Sequence, residues 1–499
     1  MKYHMISWMV FLPIIGTLLQ VFLPEKKSKW LALGSSLAAS VAALFLVMSL
    51  GTDSADPQAG EVFAWIGSYA IRYDMAVDGF NILVVLLLAL LFPVLIACEW
   101  TRAEGVKGMY SLFLLLQASL FGALCAQDLF LQFSFWGLSA LPFYFLIGIW
   151  GGEGREKAAF RTMMASVVGN SLIFAALVLI YYSLEPHTFS IHEIAQGAIR
   201  QAVVPVFGTS VKVTTLACLL MCGGLALRAP VWPFHGWFIE AAEEAPPSVL
   251  VALAAGVVPV ALSLFVRMSY CLFPDVLRAH APALVLIGLT NLFMGALSAV
   301  AQKSLRTLLA HVCISELGLI LMGAGSLSPE GLVGSLYQVL MLGIGLAGFG
   351  IFLSLMTDRV GSSVFIGTPG TSHKLGMQAP TIAVVAGVVV ASLLGFPGFG
   401  GFVGHALIMI GGFSARPWSI FPLSLSFLLV SAALFRMYRS IFLGKAQVSG
   451  GPDVSLREQL AIVPLVILMC VCGIYPKPFI EMIRPTALTM LSLLHRDGE

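Results

Sequence analysis

Runs of about 20 consecutive apolar residues recur about 14 times along this chain, and no other feature narrows its fold as much. Hydrocarbon offers the peptide group no water to bond, so such runs cross a bilayer only as helices or closed barrels. The apolar stretches here are continuous rather than alternating, which excludes a barrel. Composition agrees, because 59% of the 499 residues are hydrophobic and only 10% are charged. A soluble chain of this length carries far more charge. The sequence therefore predicts an all-α polytopic membrane protein. Its candidate spans are Met5–Leu23, Trp30–Leu50, Phe80–Cys98, Tyr110–Ala126, Leu129–Trp150, Ala158–Tyr182, Val213–Leu227, Ser248–Leu272, Ala281–Ala301, Thr307–Gly325, Leu332–Leu355, Pro380–Ile410, Phe421–Arg439 and Leu460–Tyr475. The first lacks a small-residue cleavage site and is followed by Pro24, Lys26, Lys27 and Lys29, so it is expected to be a retained helix rather than a signal peptide.

An even number of spans places both termini on one side. Lysine and arginine then give the orientation. About 17 of these residues, including Lys26, Arg155, Lys303, Arg306 and Arg436, fall on one side and about 10 on the side of the termini. Both termini are thus expected on the outer, periplasmic side of a cell (inner) membrane. Among the connections, residues 51–76 are polar with a strand-like stretch around Ile66–Tyr73. IHEIAQGAIRQA, within 185–208, has the apolar spacing of an interfacial helix. Asp358–Gln378 reads as a simple loop, and Ser455 with Glu458 as a capping box opening the last span.

Two spans are interrupted. Around the seventh, between Leu216 and Met268, lie Gly223, Gly224, Arg228, Pro230, Pro233, His235, Glu240, Glu243, Glu244, Pro246 and Pro247. In the twelfth, LLGFPGFGGFVGHALIMIGGF has five glycines between Gly395 and Gly404, with Pro397 and His405. Irregular backbone at membrane depth must be buried in protein or line a wet cavity. The interruptions are five spans apart, and an odd offset inverts topology. This predicts two inverted five-helix repeats, spans 4–8 and 9–13, as in secondary transporters whose sites lie at broken helices; close packing of glycine-rich helices is the alternative. The layout is then 1–109 (helices 1–3), 110–272 (first repeat), 273–445 (second repeat) and 446–499 (an amphipathic segment and helix 14).

Charges within spans are expensive and mark candidate sites. Arg228 is either a fixed positive charge on an ion path or an arginine snorkelling to the cytoplasmic surface; always protonated, it cannot itself relay a proton. His311 and Glu316, five apart, do not share a helical face but could serve successive points of a path; a hydrogen-bonded core histidine is the alternative. His235 and His405 sit in the broken helices, where they could equally satisfy free helix-end groups. Asp128 suits a helix cap. Glu240, Glu243 and Glu244 are expected at a wet cytoplasmic mouth, Lys303 and Arg306 as anchoring charges, and Lys477 and Arg496 in solvent. The eight cysteines lack metal-ligand spacing with histidine and read as packing residues. No metal and no haem, flavin, iron–sulfur or other cofactor is expected in this chain, and nothing points to nucleic acid.

Several motifs then occur in order: FWGLSALPFYFLIGIWGG, WPFHGWF with EAP, AQKSLRTLLAHVCISELG, GFPGFGGFVG, LFRMYRSIFLG and SLREQL with GIYPKPF. Together with ISWMVFLPIIGTLL and YDMAVDGFNILVVLLLALLFP they resemble, over essentially the whole chain, the antiporter-like subunits of respiratory complex I, the M type above all. The resemblance implies a 14-helix inverted-repeat fold. It also implies a place beside sister antiporter-like subunits in a multi-subunit membrane arm, in a family that couples electron transfer from NADH to quinone, carried out elsewhere, to proton translocation.

The family's proton path, however, matches poorly. Its fifth-span glutamate in FWE is Gly137, its seventh-span lysine before PxxPFH is Arg228, and its eighth-span lysine is Pro259. Where the family has WLPDAHxEAP, this chain has WFIEAAEEAP, with Ile239 and Ala242. The VSHMG histidine position holds Glu316, a histidine after Gln338 is Leu342, and the twelfth-span acid or lysine is His405. His235, Glu244, Lys303, Arg306 and Asp128 remain. Loss of the glutamate alone would leave buried lysines uncompensated; here both lysines have changed as well, and Pro259 should bend the eighth helix. Two roles stay open: a structural or coupling subunit, or a proton (or cation) translocator with a modified path through His235, His311, Glu316 and His405. A stand-alone antiporter fits least.

Overall fold

A computed structural model describes residues 4–51, 55–102, 105–196, 203–206, 209–360, 379–443 and 453–494. Every predicted span carries a helix. The chain runs through α1 (Met5–Gln20), α2 (Glu25–Ser49), a hairpin of β1 (Gln58–Ile66) and β2 (Ile71–Val77), α3 (Ile82–Cys98) and α4 (Val106–Cys125). The fifth span is two short helices, α5 (Leu129–Leu138) and α6 (Ala140–Trp150), meeting at Ser139. Then come α7 (Arg155–Tyr182), α8 (Ile191–Gln196), the hairpin β3 (Val203–Val206) and β4 (Thr209–Lys212), α9 (Val213–Arg228) and α10 (Gly236–Glu244). The eighth span is α11 (Pro247–Val251), a π-helical turn Ala252–Val257, and α12 (Val258–Leu272). The chain ends with α13 (Pro274–Ala301), α14 (Leu305–Gly325), α15 (Pro329–Val360), α16 (Pro380–Leu393), α17 (Gly400–Ala415), α18 (Ile420–Phe442), α19 (Leu456–Ile474) and α20 (Lys477–Leu493). With α5–α6 and α11–α12 each taken as one rod, ten helices among the described residues are long and apolar enough to cross a membrane; α1, α3, α9, α16 and α17 are apolar but shorter.

Two expectations about connections need correction. The strand-like stretch is not one strand at 66–73 but the turn and flanks of an antiparallel hairpin that pairs Gln58 with Val77 and Ile66 with Ile71. The fold is also not purely helical, since β3 pairs with β4 in a second hairpin. The interfacial helix forms over Ile191–Gln196, whereas 197–202 lie outside the described residues, as do 361–378 of the predicted loop and Arg496. The capping box at Ser455 and Glu458 is present. Asp128 caps α5, accepting from the Phe130 and Leu131 amides at 2.9 and 3.0 Å. The bend expected at Pro259 takes a specific form. Proline supplies no amide and crowds the carbonyl four residues back, and the π-helical turn directly precedes it, a usual way for a helix to absorb such a defect.

The centre of the bundle is α14, buried throughout, with α11–α12 and α15 almost as enclosed. Close approach needs glycine there: a Cβ at Gly288 or Gly318 would run into backbone of the facing helix, α14 or α13. Polar contacts between connections fall into two sets. In one set, the Arg72 amide donates to Asp128, Arg72 pairs with Glu193 at 3.0 Å, and Asp128 bridges to Ser190. A hydrogen bond from Thr188, together with Arg72, holds the Glu193 carboxyl below the usual carboxylate range. In the other set, the loop before α7 meets the end of α10, and Arg306 reaches that end from α14. Arg359 of α15 likewise pairs with Glu458 of α19 at 3.0 Å.

Candidate functional site

The second break is built to seat one histidine. Helix α16 ends at Leu393, and the backbone turns through Gly395 (φ +63°) and Gly398 (φ +98°) before α17 begins at Gly400. Such dihedrals are open to glycine at little steric cost. A Cβ on Gly395 would also collide with the His405 ring, and one on Gly404 with Gln338. The glycines thus serve both the turn and the approach of His405 to its partners. His405 is only 4% exposed and Glu316 2%. Their Nε2 and Oε2 atoms lie 3.0 Å apart. Gln338 Nε2 donates to the same Glu316 oxygen at 2.8 Å and sits 3.0 Å from His405 Nε2. Phe427 covers the ring, with centroids 4.8 Å apart.

A histidine nitrogen either donates or accepts. When His405 Nε2 carries hydrogen it donates to Glu316; when it does not, it can accept from Gln338. Three side chains from α14, α15 and α17 therefore form a site able to hold a proton in alternative places. Sequence reasoning named Glu316 and His405 separately. That they face each other, 89 residues apart, is set by packing, and Gln338 had entered only as the landmark before Leu342, not as a site residue.

The first break holds a different chemistry. Arg228, the last residue of α9, is 2% exposed, so it does not snorkel to the surface. Its Nη1 donates to the Trp136 carbonyl at 2.8 Å and its Nη2 to Ser139 Oγ at 2.9 Å. Its guanidinium carbon lies 3.9 Å from the centre of the Trp136 ring. No carboxylate among the described residues pairs with it. Gly137 lies between Trp136 and Ser139, and beside it there is room for a side chain: Asn170 Nδ2, at 3.6 Å, is the one heavy atom near an added Cβ.

Other side chains serve the backbone of the first break. Trp237 Nε1 donates to the Leu227 carbonyl at 2.9 Å and Asn291 accepts from the Trp232 amide, while His235 Nδ1 has no partner among the described residues. His311 Nδ1 contacts the Thr307 carbonyl at 2.7 Å. No hydrogen bond joins His311 to Glu316, which is about 7.5 Å further along the helix axis. Ala242 and Leu342 are fully buried without polar function.

The glutamates of the expected mouth are partly wet, Glu243 exposed and Glu240 and Glu244 half-buried, and two of them have partners. Glu244 accepts from the Gly154 amide at 2.9 Å, and Glu240 pairs with Arg161. Arg306 donates to the Glu243 and Ala245 carbonyls, both at 2.9 Å, so it anchors α14 to the end of α10. Lys303 and Lys477 are exposed. A buried pair was missed: Arg267 donates to Asp78 at 3.0 Å and to Gln127 at 2.7 Å. Both charges lie at ends of apolar runs, which was the available signal, but their pairing spans 189 residues.

Residues 126–431 match the family described as NADH:quinone oxidoreductase/Mrp antiporter, TM. The chain is 30% identical over 506 residues to NADH-quinone oxidoreductase subunit M of Escherichia coli (strain K12), covering 96% of each chain. It superposes on a chain of respiratory complex I from Thermus thermophilus with a TM-score of 0.88 at 23% identity, covering 98% of this chain and 99% of the other. A chain of the Mrp complex from Dietzia sp. DQ12-45-1b shares the fold with a TM-score of 0.80 at 20% identity, covering 98% and 97%.

Proposed function

Because the chain belongs to the NADH:quinone oxidoreductase/Mrp antiporter transmembrane family, we propose that it is an antiporter-like, M-type membrane-arm subunit of a complex I-type respiratory assembly. It works beside sister subunits and carries no cofactor of its own. Its proton exchange is confined to Glu316 and His405, with Gln338 hydrogen-bonded beside them. The observation that carries this reading is the buried 3.0 Å contact between Glu316 and His405 beside a broken helix, since an acid and an imidazole in contact can pass a proton. The likeness to subunit M supports the rest.

The finer architecture goes with this reading: 14 spans, with 110–272 and 273–445 as inverted repeats, 1–109 and 446–499 flanking them, and both termini on the periplasmic side. It is supported by the two broken helices at corresponding places. It is supported too by the two sets of loop contacts, which divide as alternating crossings require.

The test is proton uptake by vesicles containing the intact assembly, driven by its electron donor. E316Q and H405A should each lower uptake more than about tenfold while assembly and electron transfer to the acceptor persist. Undiminished uptake in both variants would leave the second reading, a structural or coupling subunit. Arg228 favours that reading for the first half, because a non-titrating cation held by neutral groups tethers α9 to α5 and α6 without offering a proton site.

A further inference from the structure

Between α9 and α13 lies a groove of about 320 Å³, floored by Phe265 and Ser269 of α12 and Leu321 of α14. Its walls run from Thr215 to Ala226 on α9 and from Val276 to Ile287 on α13. At 1.5 Å per residue each wall is about 16 Å long. Leu219 and Ile287 on the two walls are 64% and 44% exposed, so the groove opens sideways on the outside of the bundle. Apart from Thr215 and His280 near one end, Ser269 is the only described lining residue with a side-chain oxygen or nitrogen. Its hydroxyl already donates to the Phe265 carbonyl at 2.7 Å and lies 3.3 Å from Cys222 Sγ. His280 Nδ1 likewise donates to the Val276 carbonyl at 2.9 Å.

We propose that this groove binds one acyl chain of a membrane phospholipid, held as an individual ligand and not merely as part of the surrounding bilayer. Water would find almost no partner along these walls, and apolar cavities stay dry. An empty groove would leave its lining without dispersion contacts, while lipid tails reach it directly from the side. A helix is about 10 Å across, and over the same length it would fill roughly four times the volume. The length also fits. One leaflet is about half of a 30 Å hydrocarbon core, and the groove starts where α9 and α13 begin and stops near Val231 in the break. The three-sided enclosure by α9, α12 and α13 is what separates this chain from its neighbours in the bilayer. At the open end Lys212 is exposed three residues before Thr215, where an ammonium can meet the lipid phosphate.

The inference stands whether or not the subunit moves protons, and its readout involves no transport. The intact assembly is reconstituted into vesicles of phosphatidylethanolamine and phosphatidylglycerol in which some acyl chains carry a diazirine. It is then extracted into detergent lacking that lipid. Samples are irradiated before and after extraction, and labelled residues are located by mass spectrometry. Before extraction, label should appear both at Cys222 and Leu284 in the groove and at the outward-facing Leu286, which is 58% exposed. After extraction the Leu286 label should vanish, whereas the groove label should persist. Combining A226F with A283F narrows the groove from both walls. This variant should lower the groove label about tenfold or more and leave the label at Leu286 before extraction unchanged. The wild-type comparison decides by itself if the variant fails to assemble. Three results would each overturn the site: parallel loss of both labels (boundary lipid only), no groove label at either stage (a sister subunit covers it), or a groove label that survives in the double variant.

Discussion

The surroundings of Arg228 and of His405 make an instructive pair. Each places a nitrogen base beside a helix break, and each base is almost completely buried. Arg228 faces a carbonyl, a hydroxyl and an indole ring. His405 faces a carboxylate and an amide. The first set holds a permanent charge in place; the second can gain and lose a proton. A broken helix therefore does not by itself make an ion site. It frees backbone and space, and the partners drawn into that space decide whether the result is a tether or a relay.

The largest expected effect tests that difference as a double-mutant cycle. H405L leaves the Glu316 carboxylate buried with only an amide for company, and E316L strands the imidazole. Each should destabilise the assembly by about 3–5 kcal/mol, the usual consequence of halving a buried pair. The double variant should recover most of that loss, because apolar groups of similar volume replace the pair, yet it should not restore proton uptake. Thermal melts read the stability and vesicle acidification reads the function. If the single variants prove as mild as the double, the two groups are not coupled and the relay reading fails.

A smaller contrast uses glycine. G395A puts a Cβ where the backbone has φ +63° and where the His405 ring already sits, so about 1–3 kcal/mol should be lost, together with part of the proton uptake. G223A, inside α9 with no heavy atom within 4 Å of its added Cβ, should be neutral or stabilise by up to about 1 kcal/mol. Melting of both variants side by side would show whether the glycines of the two broken spans do different work. Equal losses would mean that both are simply packing glycines.

These contrasts also mark what could be read in the residues alone. Placement of the apolar helices was legible, because a run of apolar residues leaves the backbone few choices in a bilayer, whereas α10 in the break and α20 after the last predicted span were not among the expected spans. The breaks were legible from Gly395, Pro397, Pro230 and Pro233. Which side chains meet was not. Glu316 reaches His405 across 89 residues and Arg267 reaches Asp78 across 189, distances over which no periodicity carries information. Arg228 illustrates the limit well: its position near a span end fitted snorkelling, and only the packing of α9 against α7 and the reach of its side chain to Trp136 and Ser139 bury it. Glu244 was legible as a partly wet mouth residue, but that its half-buried carboxylate accepts from the Gly154 amide was not.

The smallest expected effect is the one that bears hardest on the comparison. R228K keeps the positive charge but gives up the planar fork, so it cannot donate to Trp136 and Ser139 in the present geometry while also lying flat on the indole. About 1 kcal/mol of stability should go with the lost hydrogen bond. Proton uptake should stay within about twofold of the wild type, since a fixed tether has no proton to contribute. A lysine, unlike arginine, readily shifts its protonation when buried, so the substitution also restores the titrating residue type expected at that place. If uptake by R228K rose or fell by more than about tenfold, the first half would be part of the ion path after all. The division between a tethering half and a relaying half would then have to be given up.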